Sequence, residues 1–291
     1  MKTVLVTGAA GVVGSVVAQH FLERGWKVRG FDRVPAPKSL RGELDWRLGD
    51  MTERLDLLRA TDGVDAVAHL AAIPHPMGGE ERIFATNVAG TQSLLDACEL
   101  NGVPRFALAS TGCTFGMIFA RHHFPPSYLP VDENHPLLPQ DMYGLSKVCG
   151  ELTCAAYTRR CGMTTSALRL TTVMDFSDLS RQRWLPHRLN SEDFQTDLWT
   201  YVDVRDVATC FLLALENQKE GTHTTALLCA QDSYTKRDIR ELVKTHLPDL
   251  APQVAHLAPN GSLYNLDRAT QAWGFTAEHS WRECAALASI P

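Results

Sequence analysis

Tyr143 and Lys147 are four residues apart in Tyr143-Gly-Leu-Ser-Lys147, a spacing that on a helix puts a phenol and an ammonium on one face. An ammonium beside a phenol favours the phenolate, so the pair can pass a proton to or from a substrate oxygen. Free tyrosine, with a pKa of about 10, is too basic for this at neutral pH, and the spacing predicts that Lys147 lowers it. Oxidising a carbinol requires such a proton acceptor at the hydroxyl while hydride leaves the same carbon. Two residues at a fixed interval recur by chance. The reading therefore depends on the elements that position the pair and on whether the chain can hold a hydride acceptor.

Those elements begin with Lys2-Thr-Val-Leu-Val-Thr7, a β-branched run that leads directly into Gly8-Ala-Ala10-Gly11-Val12-Val13-Gly14. A buried strand feeding a glycine-rich helix start is a dinucleotide-binding geometry. Gly8 would make the tight turn and Gly11 would let backbone approach a pyrophosphate. Gly14 would let a helix over 15–23 pack closely on the sheet, its free N–H groups and positive end facing the phosphates. A second strand, 27–31, ends at Asp32, whose carboxylate can accept from both adenosine-ribose hydroxyls and repels a 2′-phosphate. NAD is therefore expected rather than NADP, although Arg33 is placed where an arginine can hold a 2′-phosphate. A positive nicotinamide ring would add to Lys147 in lowering the Tyr143 phenol, and Lys147 could also hold the nicotinamide ribose.

Strand and helix patterns alternate along the chain, which predicts a parallel sheet covered on both faces. Residues 64–70 read as a strand followed by Ala71 and Ala72, small enough for a cofactor to lie against backbone. A helix over 83–100 carries Asn87 and closes at Gly102. The strand 105–109 ends in Ser110-Thr111-Gly112-Cys113. The proline-rich segment 122–139 is expected to be a substrate-side loop, followed by a helix over 143–160 and a strand over 164–170. Residues 175–199 read as irregular, 199–204 as strand and 207–216 as helix.

The 291 residues are 45% hydrophobic, enough for a large core in one compact unit or two intimately joined ones. Twenty-eight basic against 33 acidic residues, with no basic run, make nucleic acid and anionic membrane unexpected partners. No apolar stretch is long enough to span a bilayer, and Met1-Lys2 leads straight into the first strand, so no secretory leader is expected. Eight cysteines without Cys-x-x-Cys spacing, and histidines without ligand spacing, predict a reducing, cytoplasmic setting and no metal site.

Taken in order, Thr7 to Gly14, Gly49-Asp50-Met51, His69-Leu70-Ala71-Ala72, Asn87-Val-Ala-Gly-Thr91, Ser110-Thr111 and Tyr143-x-x-x-Lys147 resemble the extended short-chain dehydrogenases, the NAD-dependent epimerase/dehydratase group. Tyr201-Val-Asp-Val-Arg-Asp-Val-Ala208 is similar to that group's late strand-to-helix segment, so the resemblance covers residues 2–215. It implies a Rossmann-like doubly wound parallel sheet with a smaller C-terminal substrate-binding region. Residues 1–170, joined again by 200–228, would form the NAD-binding domain, and 171–199 with 229–291 the substrate region. The resemblance also implies a homodimer built on the helices bearing Asn87 and Tyr143. It puts Asp50 against the adenine and adds Met51, Leu70 and Asn87 to the cofactor site. Thr111 takes the place of the hydroxyl that bonds the reacting oxygen, and Ser110 beside it is either structural or a substrate contact.

Departures from the group's pattern narrow the reaction. Sugar-nucleotide 4,6-dehydratases resemble Thr-Asp-Glu where this chain has Thr111-Gly112-Cys113, which disfavours dehydration. Cys113 stands where 3,5-epimerases of the group place a cysteine base; a thiol serves so if its pKa is lowered, and otherwise packs under the site. Thr172 replaces an asparagine that approaches a substrate diphosphate in nucleotide-sugar epimerases, and is similar to uronate dehydrogenases acting on free sugars. Arg181, Arg183 and Arg188 could bind a carboxylate or phosphate, His187 is a further substrate candidate, and Trp184 and Trp199 could line a sugar face or pack in the core. The expected activity is an NAD-dependent oxidoreductase acting on a secondary alcohol of a sugar or sugar acid. A nucleotide-sugar epimerase with tightly bound NAD, with Cys113 as an extra acid/base, and a non-catalytic NAD-binding sensor are the alternatives.

Overall fold

The computed structural model describes residues 1–288; residues 289–291, at the end of the expected substrate region, lie outside the described residues, as does the side chain of Arg181. Among the described residues nine strands are formed: β1 (Thr3–Thr7), β2 (Lys27–Asp32), β3 (Asp45–Leu48), β4 (Ala66–His69), β5 (Arg105–Thr111), β6 (Thr164–Leu170), β7 (Thr172–Met174), β8 (Tyr201–Asp203) and β9 (His223–Leu228). Seven of them make one parallel sheet in the order β3-β2-β1-β4-β5-β6-β9, and β7 pairs in parallel with β8 apart from it. The chain winds outward from β1 to β3 and returns to β4, so the order reverses between β1 and β4. A crevice opens there, beyond the carboxyl ends of the strands.

Alternation within the strands decides which helices cover which face. Val4 and Val6 point to one side, where they pack with Val17 and Phe21 of α1 (Val12–Glu23) and, further along the sheet, Phe211 of the late helix Val204–Asn217. Leu5, Val67 and Phe106 point to the other, against α2 (Arg54–Thr61) and two longer helices. The first of these runs from α3 (Glu80–Ile83) through a π-helical turn, Phe84–Ala89, into α4 (Gly90–Leu100); the second is α5 (Met142–Cys161). A separate core gathers Leu185, Trp199, Tyr201, Tyr234 and Trp281, while Trp273 and Phe275 pack on the α1 side of the sheet.

Several boundaries differ from the sequence expectation for local reasons. The first helix starts at Val12 instead of residue 15, because Gly11 in extended conformation (ψ 166°) already serves as its cap. α5 starts at Met142, where the Asp141 carboxylate accepts from the Gly144 N–H at 2.8 Å. The strand β3 has an exposed edge composition, Asp-Trp-Arg-Leu, that carries no buried period. Segment 122–139 is pinned by buried Leu129, Val131 and Glu133 and does not line the crevice; the substrate-side role expected for it is corrected accordingly.

One buried ion pair joins these layers. Glu151 on α5 receives two guanidinium bonds from Arg169 on β6, at 2.9 and 2.8 Å, and a 2.5 Å bond from the Ser110 hydroxyl on β5. Arg169 also donates to the Glu133 carbonyl at 3.1 Å. Arg169→Met leaves a carboxylate buried without its partner and is expected to lower unfolding free energy by about 3–5 kcal/mol in urea titration. Adding Glu151→Met should recover most of that loss.

Candidate active site

The glycine turn is built by contacts that admit no β-carbon. Gly8 has φ +69°, its N–H donates to the Phe31 carbonyl at 2.8 Å, and a β-carbon on it would stand 2.7 Å from the Ala71 nitrogen. One on Gly14 would overlap the Gly8 carbonyl. No side chain caps α1, so the N–H groups of its first turn, at Val12, Val13 and Gly14, face the crevice without a side-chain acceptor. Asp32 holds the turn from the next strand: one carboxylate oxygen accepts from the Ala10 N–H at 3.0 Å, the other from the Arg33 N–H at 2.7 Å. This cradle fits a dinucleotide, with anion-binding N–H groups at the centre and an acid beside them.

The crevice has a volume of about 640 Å³ and runs from this turn to Tyr143. Asp32, Arg33, Asp50 and Met51 line one end, Leu70, Ala71 and Ala72 a wall, and Ser110, Thr111, Cys113, Tyr143, Lys147 and Thr172 the other end. Asp50 accepts from the Thr52 N–H and hydroxyl at 3.0 and 2.9 Å and lies 3.7 Å from the Arg33 guanidinium, so these two charges offset each other. The Ser110 hydroxyl, although at the surface of the crevice, is committed to Glu151.

Asn87, expected against the cofactor, is buried outside the crevice. Its amide brackets Ile73, accepting from that N–H at 2.8 Å and donating to that carbonyl at 3.1 Å, and it donates to the Ser146 hydroxyl at 3.1 Å. It therefore fixes the wall and ties it to α5. Arg183 and His187 are exposed and do not line the crevice, and neither do the tryptophans: Trp199 is fully buried, and Trp184 packs on Tyr234 at 5.8 Å. Of the two roles open to them, the structure shows core packing.

At the reacting end, the Lys147 ammonium donates to the Ala109 carbonyl at 2.7 Å and lies 6.0 Å from the centre of the Tyr143 ring. The Thr111 hydroxyl lines the crevice together with the Tyr143 phenol and accepts from the Cys113 N–H at 3.2 Å. Burial dominates the electrostatics. It pushes the Tyr143 phenol above its ordinary value, with Cys113 adding to the rise and the Thr111 hydroxyl opposing it. The expected lowering by Lys147 is thus not met within the chain. Burial likewise lowers Lys147 to about 8 and raises the Cys113 thiol to about 12. A thiol held that high is protonated at neutral pH and offers no base, against the acid/base alternative for Cys113.

Sequence reasoning passed over Ile118 and Phe119, and Thr171 and Val173 on either side of Thr172, all of which line the crevice. Thr171 and Val173 follow the carboxyl end of β6, where ligands of such sheets bind, and were findable on that ground. Ile118 and Phe119 follow a left-handed turn at Gly116 (φ +87°) that brings Phe119 edge-on to Tyr143 at 6.4 Å, which no local pattern announces.

Comparison with known proteins accords with this geometry. The sequence model of the NAD dependent epimerase/dehydratase family matches residues 4–230. The chain is 27% identical over 308 residues to a UDP-glucose 4-epimerase of Corynebacterium glutamicum, covering 95% of this chain and 91% of that protein. It is 35% identical over 176 residues to a 3-beta-hydroxysteroid dehydrogenase of Mycolicibacterium neoaurum, covering 57% of this chain and 46% of that protein. Among solved structures, a short-chain dehydrogenase/reductase superfamily protein of Agrobacterium tumefaciens with bound NAD superposes with a TM-score of 0.71 at 27% identity, covering 98% of this chain and 97% of that one.

Lys147 yields a pH-dependent prediction. Its folded value of about 8 lies below the ordinary 10.5, so folding the ammonium costs stability in full below pH 8 and ceases to do so above 10.5. Relative to wild type, the melting temperature of Lys147→Met is expected to be highest below pH 8 and to decline steadily between pH 8 and 10.5 in scanning calorimetry of the cofactor-free protein.

Proposed function

The chain belongs to the NAD-dependent epimerase/dehydratase family, and we propose that it oxidises a secondary alcohol of a sugar or sugar acid with Tyr143 as acid/base. Its cofactor is NAD, which supplies the hydride acceptor when bound. The observation that carries the reading is that the phenol of Tyr143, the hydroxyl of Thr111 and the ammonium of Lys147 share one crevice with the glycine turn and Asp32. Thr111 holds the reacting oxygen by a hydrogen bond, and Tyr143 exchanges the carbinol proton with it. Lys147, fixed through Ala109, contributes positive charge that favours the phenolate. The glycine turn and the N–H groups of α1 hold the pyrophosphate, and Asp32 the adenosine ribose.

The likeness to a UDP-glucose 4-epimerase over 95% of the chain supports a second reading, epimerisation of a nucleotide sugar. The two readings differ in absorbance at the NADH band. A dehydrogenase accumulates NADH with added NAD and a panel of hexoses, hexuronates and UDP-hexoses; an epimerase interconverts substrates with no net change. Tyr143→Phe is expected to lower kcat by about 10²–10⁴-fold while NAD binding is retained. Unchanged turnover in that variant would remove Tyr143 from the chemistry, and NAD binding without turnover on any panel member would favour a sensor.

Association into a homodimer belongs to this proposal. Phe84, Ala85 and Ala89 on one helix and Leu145, Leu152 and Ala156 on its neighbour α5 form apolar stripes at helical spacing, with Phe84 52%, Leu145 43% and Leu152 65% exposed. A four-helix contact between two copies would cover them. Leu152→Glu is expected to convert a dimer to monomers in light scattering; a wild-type monomer would end this part of the proposal. Eight free thiols support the cytoplasm as its compartment, and among the described residues no helix is long and apolar enough to cross a membrane.

A further inference from the structure

Behind Thr172 lies a carboxylate that the proposed hydride transfer leaves unused. Asp197 is 7% exposed, and its carboxylate accepts from the Tyr234 hydroxyl at 2.8 Å and the Trp199 N–H at 3.1 Å. The Thr172 hydroxyl donates to its other oxygen at 3.5 Å, and the Arg188 guanidinium stands 3.6 Å from that oxygen. Arg188 is itself held over the Trp184 ring at 5.0 Å. Thr172 lines the crevice, so Asp197 is separated from the substrate end by one side chain.

The backbone is strained where it delivers this group. Leu198 and Trp199 have φ of 54° and 55°, the left-handed region, and they are the two non-glycine residues found there among the described residues. Both side chains are fully buried, so the conformation is over-determined by packing around it. A turn of this kind costs free energy wherever a β-carbon is present. The Asp197 carboxylate, which precedes this turn, faces Thr172 on β7 and not solvent. Burial pushes the Asp197 carboxyl upward, and the Tyr234 hydroxyl, the Arg188 guanidinium and the Trp199 N–H oppose that rise; in its ionised form, opposite Arg188, both oxygens accept and the Thr172 hydroxyl donates.

A hydroxyl carries one proton and two lone pairs. With its proton directed to Asp197, Thr172 turns only lone pairs to the crevice and can only accept there. We propose that Asp197 is a positioning residue that fixes Thr172 as a hydrogen-bond acceptor for a second hydroxyl of the substrate, distinct from the one that reacts. The substrate class is therefore a polyhydroxylated compound with a hydroxyl near the reacting carbinol, not an isolated secondary alcohol. This inference rests on the sugar-oxidising reading of the site and specifies how that site selects its substrate.

The test is calorimetric titration of the NADH-loaded protein, in which no oxidation proceeds, with hexoses, hexuronates and UDP-hexoses, followed by monodeoxy analogues of the tightest binder. Wild type is expected to bind at least one deoxy analogue about tenfold more weakly than its parent, the loss of one hydrogen bond to a site built for it. That discrimination should vanish in Thr172→Val and Asp197→Asn, persist in Thr172→Ser, and be no further changed in the double variant, because Asp197 acts through Thr172. NADH affinity, read by fluorescence, should be the same in all of them. If Asp197→Asn fails to bind NADH, Thr172→Val and Thr172→Ser decide alone. A sugar that binds while every variant keeps the full parent-to-deoxy ratio would overturn this inference and leave the sugar reading standing. No binding by any panel member would remove both.

Discussion

Arg169 meets Glu151 through two guanidinium hydrogen bonds in a place where neither charge reaches water, their side chains being 5% and 6% exposed. Taking both ions out of water consumes most of what their attraction returns, so an apolar pair of the same volume would serve stability as well. What the pair supplies is position. Tyr143, Lys147 and Glu151 recur at intervals of four along α5, on one face of the helix. Locking Glu151 to β6, and through Ser110 to β5, fixes the rotation of α5 and its slide along its axis. Each residue of slide would move Tyr143 by about 1.5 Å, enough to carry its phenol out of register with Thr111 at the end of β5.

The opposite wall is set by a chain of hydrogen bonds in which only one arrangement of protons works. The Thr7 hydroxyl oxygen accepts from the Leu70 and Ala71 N–H groups, both at 3.2 Å, and so points its proton at His69 Nδ1, 2.7 Å away. The other ring nitrogen then donates to the Thr91 hydroxyl at 2.9 Å, which donates to the Asn87 carbonyl at 2.6 Å. A charged imidazole would have no acceptor for Thr7, and burial lowers His69 to about 3, which keeps it neutral. The chain stitches β1, β4 and the Asn87 helix together under Ala71, whose backbone presses on Gly8. The cofactor cradle is therefore a matter of backbone spacing, sealed from both ends by neutral polar side chains.

This contrast explains how much the sequence discloses. Backbone devices leave residue-type signatures: the glycine turn, Asp32 at a strand end, and Tyr143 with Lys147 on a helix were all readable, because each requires a particular residue at a particular interval. The parallel sheet was readable for the same reason, from period and turns. Asn87 was legible as a position but not as a role, since an amide that brackets Ile73 looks in sequence like one that meets a ligand. Ile118, Phe119 and Asp197 were not legible. Ile118 and Phe119 reach the crevice, and Asp197 the back of Thr172, by tertiary packing around left-handed turns at Gly116 and at Leu198 and Trp199, and the latter two residues give no local sign of positive φ. In the cofactor-free chain the Tyr143 shift runs opposite to what the interval to Lys147 suggests, because interval alone says which charges are near, while burial, a property of the whole fold, decides which effect prevails.

Burial moves every titrating group at the reacting end toward its neutral form: the phenol and the thiol upward, the ammonium downward. A crevice of this kind disfavours isolated charge of either sign, because low polarity weakens the solvation of each. Tyr143 at rest is then a proton donor, and it becomes a base only opposite positive charge. Lys147 supplies part of that charge, but its own proton is loosely held. In the proposed reaction, NAD, when bound, would supply a second positive charge opposite the phenolate, and Tyr143 would recover its proton from the carbinol as that charge is neutralised. On that proposal proton and hydride transfer would be coupled through charge: neither could run far ahead of the other without stranding an ion in a place that disfavours one.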